Sequence, residues 1–276
     1  MKAAMTEPGR TSYVEQVDLL GCRVTVTRWP GGGDRTPILL LNGVGSGADL
    51  LAPLAESLRD VEVITFDFPG AGSSRPPLLP YPMAAAAAFT AALLTRLGYP
   101  RVDVFGVSWG GTLAQQFAIQ HPARCRRLVL AATAAGIPSM PGRPRTIARM
   151  LTPRRFNDAD YRRRIAGSLY GGSARNDTSV VENLDHAMAS ISWRGYLYQV
   201  LAVLGWSSQP ALPLLRQPTL ILAGDDDPII PLVNARWMAR LIPDSTLHVI
   251  HGGHLFAVSD SKHVAEIMNE FLQQER

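Results

Sequence analysis

The sequence is poor in cysteine, in aromatic residues and in charge. Its two cysteines, Cys22 and Cys125, are too few for a disulfide framework and too far apart for a zinc motif, so we expect a reduced compartment. Aromatic residues make up 7% and charged residues 18% of the 276 positions, and 27 basic against 23 acidic residues give a formal charge of +4. Because the chain has no dense cluster of lysine and arginine, this mildly basic balance argues against a nucleic-acid-binding protein.

Long hydrophobic runs are also missing. The richest apolar stretch, residues 83–97, is interrupted by Thr90, Thr95 and Arg96 and is shorter than a membrane span. No apolar segment of the secretory type follows the first ten residues. We therefore expect a soluble cytoplasmic protein with no transmembrane segment. Its 46% of apolar residues suits one large globular domain, or a core with an insertion.

The apolar residues that are present follow an alternation of strands and helices. Residues 13–20 and 23–29 are β-branched runs that predict an antiparallel hairpin. The short apolar runs that predict buried parallel strands are residues 38–41, 61–66, 102–105, 128–131, 219–223 and 246–250. The stretches that predict helices are residues 50–58, 82–97, 109–121, 232–241 and 263–274. This alternation predicts an α/β fold with a mostly parallel central sheet and flanking helices.

The alternation stops between residues 136 and 210. This segment contains ten arginines against five carboxylates, seven of the aromatic residues and no convincing strand. We interpret it as a helical cap inserted into a core made of residues 1–135 and 211–276. A cap placed at the carboxyl ends of parallel strands would lie over the position where such sheets bind ligands.

The strongest chemical motif is G-x-S-x-G at residues 106–110. It follows the predicted strand 102–105 and opens the predicted helix 109–121. A tight strand-to-helix turn holds the serine in a strained conformation with its hydroxyl exposed, and the glycines avoid collisions across that turn. Ser108 is therefore the predicted nucleophile. The backbone N–H of Trp109, at the helix N-terminus, is predicted to bind the oxyanion.

A serine nucleophile needs a base and an acid that orients the base. The candidate acids are Asp225, Asp226 and Asp227, which directly follow the predicted strand 219–223; those without that role would cap the next helix or close the turn. Of the six histidines, His254 is favoured as the base because it follows two glycines in a loop after the last strand, and His251 is the alternative. The H-x-x-H spacing of these two is a poor metal site without a further ligand, so no metal is predicted.

The loop after the predicted strand 38–41 allows two interpretations. As part of an oxyanion hole it supplies the backbone N–H of Val44, with Asn42 shaping the loop. As a dinucleotide fingerprint, residues 43–48 fit G-x-G-x-x-G/A and Asp67 follows 24 residues after Gly43. The second interpretation is disfavoured because a hairpin precedes this strand and because a nucleotide site would leave Ser108 unexplained. No cofactor is predicted.

In these motifs the chain resembles the α/β-hydrolase superfamily and, within it, the intracellular medium-chain-length polyhydroxyalkanoate (PHA) depolymerases. The family pattern places the acid four residues before a proline, here Pro231, and so favours Asp227. The α/β-hydrolase fold usually has His-Gly in the oxyanion loop, whereas this chain has Asn42 and Gly43, as the PHA depolymerase family does. The segments that carry the closer resemblance are residues 42–43, 106–118, 128–136, 153–155, 170–172, 217–228 and 253–256.

The resemblance implies a serine hydrolase that cleaves the ester bonds of intracellular medium-chain-length poly(3-hydroxyalkanoate) through an acyl-enzyme. The implied partners are a hydrophobic polyester or acyl-ester substrate and the surface of PHA granules; no oligomeric state is predicted. The residues expected to contact substrate, with core packing as the alternative for the cap aromatics, are Asn42, Trp193, Tyr196, Tyr198 and Trp206. The alternative functions are a small-molecule carboxylesterase or lipase, a 3-hydroxyacyl transferase, and a catalytically silent granule-coat protein.

Overall fold

The described part of the chain, residues 10–152, 154, 158–177, 182 and 192–274, is built around an eight-stranded sheet in this computed structural model. The strands are β1 (Tyr13–Leu19), β2 (Cys22–Trp29), β3 (Ile38–Leu41), β4 (Val63–Phe66), β5 (Val102–Val107), β6 (Cys125–Ala131), β7 (Thr219–Gly224) and β8 (Ser245–Ile250). Their order is β1-β2-β4-β3-β5-β6-β7-β8, with β2 antiparallel to β1 and β4 and every other neighbouring pair parallel. The predicted α/β fold with an antiparallel start and a mostly parallel sheet is confirmed.

Helices of the described residues connect the strands and cover both faces of the sheet. They are α1 (Ala52–Ser57), α2 (Met83–Arg96), α3 (Trp109–Gln120), α4 (Pro144–Leu151), α5 (Ala159–Tyr170), α6 (Trp193–Val203), α7 (Leu232–Leu241), α8 (Phe256–Ser259) and α9 (Ser261–Gln273). The predicted helix 50–58 is divided, because Pro53 is tolerated only in the first turn of α1 and a 3₁₀ turn at Ala48–Leu51 precedes it. None of these described helices has the length and hydropathy needed to cross a membrane.

Strand β6 begins three residues before the predicted run 128–131. The guanidinium groups of Arg126 and Arg127, two polar residues in the part of β6 that was not predicted, both have fixed partners. Arg126 Nε donates to Asp103 Oδ1 on the neighbouring β5 at 2.8 Å, and Arg127 donates to the Leu272 carbonyl near the end of α9 at 3.0 Å. Buried charges are tolerated in a strand when they are paired in this way.

The core consists of two layers separated by the sheet. Alternate residues of a strand point to opposite faces, so that Leu39 and Leu41 contact the layer under α2, α3 and α7. Ile38 and Leu40 contact the layer under α1, α8 and α9. All residues of β3, β4 and β5 are buried. The sheet is therefore a rigid platform whose carboxyl edge holds the loops described next.

The chain reverses its direction of travel across the sheet between β3 and β5. From β3 the chain goes to β4 on one side, and it then returns to β5 on the other side. In open α/β sheets ligands bind in the crevice at such a switch point. The segment 136–210, called here the inserted segment, lies between β6 and β7, and its described residues contain α4, α5 and α6 but no strand of the sheet.

Candidate active site

Ser108 occupies the sharp turn between β5 and α3. Its backbone has φ of +56° and ψ of −118°, a conformation that costs free energy for any residue other than glycine. The turn is too tight for side chains on either flank: a Cβ at Gly106 would overlap the Gly110 carbonyl, and one at Gly110 would overlap the Leu41 carbonyl. The G-x-S-x-G residues are therefore needed for the turn itself, and they place the Ser108 hydroxyl above the carboxyl edge of the sheet.

His254 and Asp227 form a hydrogen-bonded chain with this serine. His254 Nε2 lies 3.1 Å from Ser108 Oγ, and His254 Nδ1 lies 2.7 Å from Asp227 Oδ2. Because an ionised carboxylate only accepts hydrogen bonds, the proton on the imidazole is placed on Nδ1, and Nε2 is left to accept from the serine. Asp227 Oδ1 accepts from the N–H groups of Ile229 and Ile230, which holds the carboxylate in position. Both His254 and Asp227 are buried.

The three consecutive aspartates bind three different parts of the molecule. Asp225 lies 2.8 Å from His251 Nδ1; this bond lowers the pKa of the Asp225 carboxyl and raises the pKa of the exposed His251. Asp226 pairs with Arg175 and accepts from the Gly172 N–H at 2.8 Å, and Arg175 is the main cause of the lowered pKa of Asp226. Only Asp227 reaches the imidazole that faces Ser108.

Asp225, Asp226 and His251 have partners other than Ser108 and His254. Two roles were expected for Asp225 or Asp226, capping the next helix or closing the turn. Capping is wrong, because the residue before α7 is Pro231 and no side chain caps that helix. Both residues lie in the turn directly after β7. His251 is exposed and bonds to Asp225, whereas the imidazole that bonds to Ser108 is that of His254. The described residues contain no group of three or more His, Cys, Asp or Glu side chains that could hold a metal ion.

The predicted oxyanion donors border the nucleophile from two sides. Trp109 is the first residue of α3, where backbone N–H groups lack intrahelical acceptors and the helix dipole favours negative charge. Val44 lies in the loop after β3 and lines the same cavity as Ser108 and His254. The loop approaches so closely that a Cβ on Gly43 would lie 3.6 Å from the Ser108 Cβ.

Asp67, the residue that a dinucleotide site would use, is committed to the protein backbone. Its carboxylate accepts from the N–H of Ala48 at 2.7 Å, and from both the N–H and the hydroxyl of Ser73 at 2.7 and 2.8 Å. It is buried, and it joins the loop after β3 to the turn after β4. Because Asp67 is engaged in these bonds, it is not available to bind the ribose of a dinucleotide, as the G-x-G-x-x-G/A interpretation of residues 43–48 would require.

Replacing Asp67 tests this structural role. We expect Asp67→Asn to lower the free energy of unfolding by about 1–3 kcal/mol, because in either orientation the amide NH₂ group would face a backbone N–H donor, that of Ala48 or that of Ser73. Urea denaturation measures the change, and Glu56→Gln, an exposed charge removal nearby, serves as the control with a change below about 0.5 kcal/mol. A stability loss as small as that of the control would contradict the assignment.

An apolar cavity adjoins Ser108 and His254, and the residues that line it differ from those expected. Its walls come from the segment after β3, the inserted segment, the loop after β7, and Leu255 with α8. The side chains that line it are Val44, Leu50, Leu51, Met150, Tyr170, Ile229, Leu255, Ala257 and Val258. Sequence reasoning missed these residues as a set. Two of them could have been predicted: Tyr170 belongs to the segment 170–172 that carries the family resemblance, and Leu255 directly follows His254.

The five residues predicted to contact substrate are not among the described residues that line this cavity. Tyr198 donates through its hydroxyl to the Leu78 carbonyl at 3.1 Å. Asn42 is buried and donates to Thr65 Oγ1 at 3.3 Å, which supports its loop-shaping role. Tyr196 is fully buried and donates to the Met150 carbonyl at 3.1 Å, and Trp193 stacks on it while remaining 46% exposed. Trp206 donates through its indole N–H to Gln116 on α3 at 2.8 Å. For Tyr196 and Trp206, packing and hydrogen bonding account for the positions.

Comparison with known proteins agrees with this geometry. A family model described as the alpha/beta hydrolase fold matches residues 36–260, which is most of the chain. The chain belongs to the α/β-hydrolase family.

Several known proteins resemble this α/β-hydrolase along most of its length. The poly(3-hydroxyalkanoate) depolymerase of Ectopseudomonas oleovorans is 47% identical over 248 residues, covering 90% of this chain and 88% of the relative. The 3-oxoadipate enol-lactonase 2 of Acinetobacter baylyi is 27% identical, covering 82% of this chain and 84% of the relative. The structure of an enol-lactonase from Burkholderia xenovorans LB400 matches with a TM-score of 0.83 at 20% identity, over 94% of this chain and all of that chain, which supports the fold. The family membership and the similarity to a poly(3-hydroxyalkanoate) depolymerase together show that this α/β-hydrolase is an ester-hydrolysing enzyme.

Proposed function

We propose that this enzyme hydrolyses the ester bonds of medium-chain-length poly(3-hydroxyalkanoate) with Ser108 as nucleophile, His254 as general base and Asp227 as the orienting acid. The observation that carries the catalytic part is the continuous chain of hydrogen bonds, 2.7 Å from Asp227 to His254 and 3.1 Å from His254 to a serine held at positive φ. The substrate part rests on the 47% identity to a poly(3-hydroxyalkanoate) depolymerase and on the apolar cavity beside Ser108.

In the proposed mechanism, His254 Nε2 removes the hydroxyl proton while Ser108 Oγ attacks the ester carbonyl carbon. The negative charge that develops on the carbonyl oxygen is bound by the N–H groups of Val44 and Trp109, each worth about 2.7–4 kcal/mol in the transition state. Asp227 holds the imidazole in the productive tautomer and stabilises it once it is protonated.

Collapse of the tetrahedral intermediate passes the proton from His254 to the leaving alkoxide and leaves an acyl group on Ser108. A water molecule, deprotonated by the same imidazole, then attacks the acyl-enzyme, and a 3-hydroxy acid is released. The alkyl side chain of each monomer unit is apolar, and the cavity walls formed by Met150, Ile229 and Leu255 offer it an apolar surface.

We further propose that the inserted segment, residues 136–210, is a cap over a core formed by residues 1–135 and 211–276. The support is that its described helices lie between β6 and β7 and that Met150 and Tyr170 form walls of the cavity. In addition, the Tyr170 backbone carbonyl accepts from the His254 backbone N–H at 2.7 Å. On the strength of the motifs shared with the intracellular depolymerases, we place the enzyme in the cytoplasm, at the surface of PHA granules.

An assay with two kinds of substrate tests the proposed specificity. Incubation with an amorphous poly(3-hydroxyoctanoate) suspension is expected to lower its turbidity and to release 3-hydroxyoctanoate, because the cavity accepts the alkyl side chain next to the attacked ester. p-Nitrophenyl acetate and p-nitrophenyl octanoate are assayed in parallel, and we expect the longer ester to be hydrolysed faster. Hydrolysis of the soluble esters without loss of turbidity would replace the polyester assignment by that of a small-molecule carboxylesterase.

A further inference from the structure

Gln199, a buried residue on α6 of the inserted segment, is hydrogen-bonded next to both expected oxyanion donors. One donor lies in the loop after β3 and the other at the N-terminus of α3. The Gln199 side-chain Oε1 accepts from the Gly45 N–H at 2.6 Å, and Gly45 directly follows Val44. Its backbone carbonyl accepts from the indole Nε1–H of Trp109 at 2.8 Å. Gln199 is only 1% exposed, so water does not compete for these bonds.

The loop after β3 needs such a contact to keep its shape. Gly45 is buried and has φ of +69°, and the loop's own backbone supplies one hydrogen bond here, from the Ser46 N–H to the Gly43 carbonyl at 3.2 Å. The Gly45 N–H is satisfied from outside the loop, by Gln199. An oxyanion hole works only when its donors lie 2.7–3.1 Å from the developing charge, and an error of about 1 Å can cost about a hundredfold in rate. The orientation of the peptide beside Val44 therefore depends on α6.

We propose that Gln199 is a positioning residue that sets the geometry of the oxyanion hole from the inserted segment. Through its side chain it fixes the loop that presents the Val44 N–H, and through its carbonyl it fixes the indole of the residue that presents the second donor. This proposal rests on the proposed function, since it assigns Val44 and Trp109 to the oxyanion. Gln199 is not among the described residues that line the cavity beside Ser108, and its proposed effect on the reaction passes through these two donors.

The matched control for Gln199 is a second hydrogen bond between the inserted segment and the core. Trp206 Nε1 donates to Gln116 Oε1 at 2.8 Å, which joins the segment to α3 about two turns beyond Trp109. If the inserted segment only needs to be attached, loss of either bond should have the same effect. If Gln199 positions the donors, only its own replacement should change turnover.

The experiment compares Gln199→Met with Gln116→Met on p-nitrophenyl octanoate and on an octyl trifluoromethyl ketone, which binds serine hydrolases as a tetrahedral oxyanion. We expect Gln199→Met to lower kcat about 10- to 100-fold and leave KM within about twofold, because methionine keeps the length of the side chain and removes the acceptor. Its affinity for the ketone should fall by the same factor as kcat/KM. Gln116→Met should leave kcat within about twofold.

Three results would overturn the proposal. They are an unchanged kcat in folded Gln199→Met, an equal loss of kcat in both variants, and a loss confined to KM. If Gln199→Met does not fold, Trp109→Phe decides, because it removes the indole donor to Gln199 and keeps the backbone N–H; its kcat should fall about tenfold, and an unchanged kcat overturns the proposal. Failure of the proposed function is separate, since it would show as retained activity in Ser108→Ala whatever the result at Gln199.

Discussion

Ser108→Ala is expected to lower kcat for ester hydrolysis by about a million-fold while the protein remains folded. Loss of the nucleophile in a serine triad removes nearly all of the rate enhancement that the triad supplies. Hydrolysis of p-nitrophenyl octanoate measures the rate, and release of 3-hydroxyoctanoate from polymer gives the same comparison for the proposed substrate.

The fold of the Ser108 variants can be checked independently of their activity. Alanine keeps a side chain at φ of +56°, so the strain of the turn persists and the free energy of unfolding should change by less than about 1 kcal/mol. Ser108→Gly should be at least as stable as Ser108→Ala, because glycine adopts positive φ without the steric cost. Substantial turnover by either folded variant would show that Ser108 is not the nucleophile.

Asp227→Asn is expected to lower kcat about ten-thousandfold with little change in KM. The asparagine NH₂ group would face His254 Nδ1, so the imidazole would be driven to the tautomer with its proton on Nε2, which cannot accept the proton of Ser108. Steady-state kinetics on p-nitrophenyl octanoate measure the loss.

The neighbouring aspartate provides a control of the same chemistry. Asp225→Asn removes a carboxylate two positions away whose partner is the exposed His251, and its kcat should stay within a few-fold of the unmodified enzyme. Similar losses in Asp225→Asn and Asp227→Asn would mean that the loop after β7 responds to charge removal as a whole. That outcome would contradict the specific role of Asp227.

The sheet and the positions of Ser108, Asp227 and His254 could be predicted because their signals are local in the sequence. The glycines around Ser108 are required by the turn in which they lie, and Asp227 and His254 lie three and four residues after the ends of β7 and β8. Parallel strands bring such positions to one edge of the sheet without further information. The start of β6 was missed because Arg126 and Arg127 find their partners in β5 and α9, far away in the sequence.

The walls of the cavity could not be predicted for a related reason. Leu50, Met150, Tyr170, Ile229 and Leu255 come from five separate stretches of the chain, and nothing local marks them as neighbours. The aromatic residues of the inserted segment were assigned to substrate from their chemical type alone. Which way a helical side chain points depends on what the helix packs against, and that information enters only with the tertiary structure.

The inserted segment is bonded to the catalytic loops on two sides, through Arg175 and Tyr170 to the loops after β7 and β8 and through Gln199 to the loop after β3. Chimeric enzymes that exchange this segment between relatives would therefore change turnover as well as substrate preference. A graft that retains Arg175 and Gln199 and keeps the backbone of Tyr170 in place preserves these connections.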